Sequence, residues 1–117
     1  MQVKKTLILS FLASILLTSL YAEEKNYTIK EIYTQMCKKC HGINAEGNPQ
    51  KKGPALNDMT AHELEISLYD LKNGGMNQSS GTDHEIMQHN SKKIVEKGMD
   101  YDPKEMADYI VDNFYKE

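Results

Sequence analysis

The sequence predicts an all-α fold of three main helices joined by long loops. Two patterns carry this reading. Apolar residues recur at helical spacing in three segments that open on a recognisable cap, and no segment sustains the period-two alternation of a half-buried strand. Composition adds a third observation. The 117 residues hold no Trp and only two Phe, so one small domain is expected whose core is partly supplied by a bound apolar group.

The first residues read as an export segment. Lys4 and Lys5 form a short positive region, and Thr6 to Leu20 is an uncharged, nearly continuous apolar stretch. About fifteen residues is short for a membrane span, which needs roughly 20. Leu20-Tyr21-Ala22 offers a cleavage site, which makes residues 1–22 a signal peptide and residues 23–117 the mature domain. A retained N-terminal anchor is the alternative. Cleavage removes Lys4 and Lys5 and no acid, taking the net charge from −3 to −5. The mature protein is then expected to be acidic, soluble and outside the cytoplasm.

Thr28 caps the first helix, with Glu31 completing a capping box. Ile29, Ile32, Tyr33 and Met36 make its apolar stripe, and the helix runs directly into Cys37. Gly42 to Met59 is rich in Gly, Asn, Pro and Lys and reads as a loop. Thr60 and Glu63 open the second helix, whose apolar face is Leu64, Leu68 and Leu71, and Asn73-Gly74-Gly75 ends it. Met76 to Thr82 is loop. Asp83 to Lys97 is expected to hold a short helical turn followed by irregular chain. Asp102-Pro103 starts the last helix, with Met106, Tyr109, Ile110 and Phe114 on one face.

All fourteen basic residues are Lys, and no region is basic enough to make nucleic acid the expected partner. The only two cysteines fall in one window, Cys37-Lys38-Lys39-Cys40-His41, so there is no disulfide framework. This is the attachment pattern of c-type haem. Two thiols add across the two vinyl groups of the ring, two intervening residues separate the sulfurs, and the adjacent His is carried beneath the ring to ligate iron. A zinc site would need a second ligand pair, which His62, His84 and His89 supply only irregularly. A thioredoxin-like pair would need a βαβ setting. A short disulfide would leave His41 unexplained.

Iron held by His41 leaves a sixth position to fill. Met36 lies beside the motif, Met106 sits on a packing stripe, and Met59 comes too early in the chain to reach the opposite face. Met76, Met87 and Met99 lie between the second and last helices and are the candidates, with His84 and His89 flanking Met87.

In order along the chain, the haem motif with Gly42, then Gly53-Pro54-Ala55-Leu56, a Met-bearing segment, and Met106-Ala107-Asp108-Tyr109-Ile110 resemble the small monohaem class I-type bacterial cytochromes c. The resemblance covers about residues 29 to 116. It implies the cytochrome c fold wrapped around one haem c, bound covalently through Cys37 and Cys40. It implies His41 and Met87 as the axial iron ligands, with Met99 and Met76 as alternatives. It implies that the Pro54 carbonyl accepts a hydrogen bond from the other ring nitrogen of His41, which fixes the ring and makes it a better donor. Lys38, Lys39, Lys51 and Lys52 then lie near the exposed haem edge, where charge can steer a partner.

The expected activity is electron transfer without substrate turnover, by a periplasmic monomer shuttling between a quinol-oxidising complex and a terminal oxidase or peroxidase. The rival reading is a haem sensor or small-ligand binder with an open or displaceable sixth position. A tethered module of a larger complex is a third.

Overall fold

The computed structural model describes residues 25–73 and 82–117. The expected signal segment and Met76 lie outside them. The described chain is helical, with no strand among the described residues.

Thr28 has extended backbone, its hydroxyl accepts from the Glu31 amide at 3.2 Å, and the Glu31 carboxylate accepts from the Thr28 amide at 2.8 Å. This box starts α1 (Ile29–Ile32). The helix widens into a π turn (Tyr33–Cys37) and resumes as α2 (Lys38–His41). Such a turn inserts an extra residue into the helical repeat, a device frequent at functional sites. Here it sets the face on which Cys37, Cys40 and His41 emerge. The Tyr33 hydroxyl donates to the Gly42 carbonyl at 2.9 Å, tying the start of the π turn to the end of α2.

The loop after α2 is knitted to itself. Gly47 donates to the His41 carbonyl, and Leu56 and Asn57 both donate to the buried Ala45. Asn48 and Gly53 pair across a short 3₁₀ turn, Pro49–Lys51. This fold-back lays Gly53 on the backbone of Cys40 so closely that a Cβ there would overlap the Cys40 carbonyl oxygen. Glycine is required at this position by close approach.

A second capping box, Thr60 with Glu63, starts α3 (Ala61–Lys72). The next element differs from the sequence expectation. Residues expected to be a turn and irregular chain form a helix, α4 (Thr82–Glu96), just over four turns long. Its apolar stripe is interrupted by Asn90 and Ser91, yet Ser91 is buried and Asn90 half-buried. The segment therefore lacks the apolar periodicity that marks a packed helix. Gly98, at φ +72°, closes it: Gly98 donates to the Val95 carbonyl and Met99 to that of Ile94. This is the left-handed Schellman ending, with its usual apolar contact supplied by buried Ile94 and Met99.

Asp102 caps α5 (Pro103–Phe114), accepting from Glu105, with Pro103 in the first turn. Its inner face is Met106, Ala107 and Ile110, all at most 2% exposed. α5 packs on α3 and on α1. At the N-terminal end the contact extends to the π turn through Tyr33, Tyr109 and Phe114, whose ring centroids lie 5.2–5.8 Å apart. Each such pair adds roughly 0.5–1.5 kcal/mol beyond its buried area.

Candidate functional site

α2, the 53–59 loop, α3 and α4 surround one cavity of about 240 Å³. Met36, Cys37, Cys40 and His41 line it from the first helical segment, and Gly53, Pro54, Leu56 and Met59 from the loop. Leu64, Leu68 and Leu71 of α3 continue the wall. Ile86, Met87, Asn90 and Ile94 of α4 close it, and Tyr101, Met106 and Ile110 complete it. Lys51 and Lys52, both exposed, also border it.

His41 is 5% exposed, and its Nδ1 lies 2.8 Å from the Pro54 carbonyl oxygen. A carbonyl only accepts, so Nδ1 carries the proton and Nε2 keeps its lone pair. Burial holds the imidazole below its ordinary pKa, and the Pro54 bond only partly opposes this. The ring is thus neutral near pH 7, the form that can ligate a metal. Cys37 and Cys40 are not joined in a disulfide. Burial pushes the Cys37 thiol up to about 12, and the Cys40 sulfur beside it adds to the shift.

These features fit a covalently bound haem. The walls are mainly aliphatic, two thiols and one oriented neutral imidazole share one side, and Met87 offers a thioether on the same cavity. A family model for cytochrome c matches residues 28–111. The chain belongs to the cytochrome c family. No curated protein and no solved structure matches it. The family chemistry is electron transfer by a covalently attached haem c, and Cys37, Cys40 and His41 of this cytochrome fit its attachment motif.

The structure brings Cys37, Cys40, His41, Pro54 and Met87 to one cavity. It puts Met87 on a helix, where the sequence suggested irregular chain. Met99 is 6% exposed in the core and is not among the cavity-lining residues. His89 is exposed on α4 and also lies off the wall. Met59, set aside as too early in the chain, is on the wall, because the loop returns at Gly53. Ser67, Asn90, Ile94 and Tyr101 are lining residues that sequence reading missed, and Tyr101 is the largest of them. It is 7% exposed, and burial, then the Cys37 sulfur, then Asp100, raise its pKa, so its phenol stays neutral. Tyr preceding Asp102-Pro103 was the available signal, since a residue just before a cap often packs inward.

Proposed function

We propose that this cytochrome is a periplasmic electron carrier with His41 and Met87 as axial ligands. The observation that carries the reading is the single cavity lined by both thiols, the oriented imidazole and the Met87 thioether. Haem bound there supplies an iron that gains and releases one electron.

The protein's own groups do the rest. Cys37 and Cys40 would hold the ring by thioether bonds. Pro54 keeps the Nδ1 proton of His41 in place, so Nε2, with fixed tautomer and ring orientation, would be the nitrogen that ligates the metal. Met87 as second ligand would favour the reduced state and raise the potential. Leu64, Leu68, Ile94 and Ile110 keep water from the ring, which limits access of small ligands. Lys51 and Lys52 at the border orient an acidic partner surface during encounter. A quinol-oxidising complex on one side and an oxidase or peroxidase on the other are the partner classes that suit such a shuttle. Members of the family are typically extracellular or periplasmic, in keeping with the signal segment read at residues 1–22. No described helix is long and apolar enough to cross a membrane.

Absorption spectroscopy of the haem-loaded protein tests the ligand set. The ferric form should be low-spin with the weak Met-to-iron charge-transfer band, and Met87→Ala should abolish that band. A band that survives the substitution excludes Met87. A high-spin wild type that binds carbon monoxide rapidly when reduced would favour the sensor reading.

A further inference from the structure

Lys72 is the last residue of α3, and its ammonium holds two consecutive residues of another segment. Nζ lies 2.6 Å from Asp100 Oδ1, donates to the Tyr101 carbonyl oxygen, and sits 5.1 Å from the centroid of the Tyr101 ring. The same Asp100 oxygen accepts from the Tyr101 amide at 2.9 Å. The Lys72 side chain is 23% exposed and that of Asp100 56%, so the lysine is partly withdrawn from water while the carboxylate stays solvated. The other ion pair among the described residues, Lys104 with Asp108, lies four residues apart within α5. Lys72 with Asp100 is thus the one ion pair among the described residues that joins two elements.

The held segment leaves α4 directly, by way of Gly98 and Met99. α4 gives Ile86, Met87, Asn90 and Ile94 to the cavity wall. Of its residues from Glu85 to Glu96, only Ser91 and Ile94 are buried. How the end of α4 is fastened therefore bears on where these wall residues sit. Tyr101 also lines the cavity, whereas Lys72 does not.

We propose that Lys72 is a positioning residue for the sixth iron position: through Asp100 and Tyr101 it latches the exit of the Met87 helix onto α3. This rests on the reading of Met87 as ligand. A half-exposed ion pair reinforced by a cation–π contact sets the closed population, and loss of Lys72 raises the open fraction about fivefold.

The test compares haem-loaded wild type with Lys72→Met, Lys72→Arg and Asp100→Asn. Imidazole binding to the ferric protein should be about fivefold faster in Lys72→Met and about twofold faster in Asp100→Asn, which keeps the contacts of Lys72 with Tyr101. Lys72→Arg should restore the wild-type rate, since it keeps the charge. Amide hydrogen exchange across residues 86–96 should accelerate in the same two variants. Unchanged imidazole rates and unchanged exchange would overturn the latch, even if the melting temperature falls. If wild type itself is five-coordinate, the Met87 reading fails, and the exchange comparison still decides whether Lys72 holds α4.

Discussion

Gly53→Ala isolates the contact that delivers Pro54 to His41. Gly53 does not have a left-handed backbone, so alanine loses nothing there by conformation. The cost is steric: the new Cβ would overlap the carbonyl oxygen and carbon of Cys40. Those atoms belong to the helix that carries both thiols and cannot swing away as a side chain would. An added methyl in a packed site costs about 1–3 kcal/mol. With a backbone obstacle the upper end applies, and about 3 kcal/mol lowers the melting temperature of a small domain by roughly 12–24 °C. Relief requires the 53–54 peptide to retreat, which lengthens the 2.8 Å bond from His41 Nδ1 to Pro54. Losing such an outer partner weakens metal ligation about 10–100-fold. The assay is thermal unfolding of haem-loaded protein by circular dichroism, with ferric spectra recorded beside it. A melting temperature within about 2 °C of wild type, together with an unchanged spectrum, would refute the reasoning.

Gly98→Ala tests the opposite kind of glycine. Nothing lies within 4 Å of a Cβ there, but φ is +72°, so a conformational cost of about 1 kcal/mol and a fall of about 5 °C are expected; a loss as large as that of Gly53→Ala would show a clash instead. Glu31 and Glu63 are held below the ordinary carboxylate pKa of 4.5, first by the backbone amides of Thr28 and Thr60 and then by their hydroxyls. A depressed folded pKa gives stability that is fully present above pH 4.5 and lost as pH falls through the folded value. The melting-temperature gap between wild type and Glu63→Gln should therefore narrow below pH 4.5; a gap that stays constant down to pH 3 would contradict the capping role.

The helix starts were legible because they are local. Thr28 with Glu31, Thr60 with Glu63, and Asp102 with Pro103 each satisfy their own first turn, so a few residues of sequence suffice. α4 was hidden because its inward positions include Asn90 and Ser91, and their burial is decided by the cavity and by α3. Its ending was readable in principle, since Gly98 followed by an apolar Met99 is the signature of a Schellman cap. That signature also accounts for Met99, whose side chain is spent on packing against the helix end. Met59 reached the wall because the preceding loop turns back on Cys40, a fact that distance along the chain does not reveal. The attachment motif, by contrast, was readable at once, since its spacing is dictated by the ring it holds.

The trio of Tyr33, Tyr109 and Phe114 includes no cavity-lining residue. The two helical ends of the domain therefore clasp through rings that need no haem. Closure of α4 differs, since its inner side is shaped for a guest. The joining of the two ends and the lining of the cavity are thus carried by separate side chains of one core.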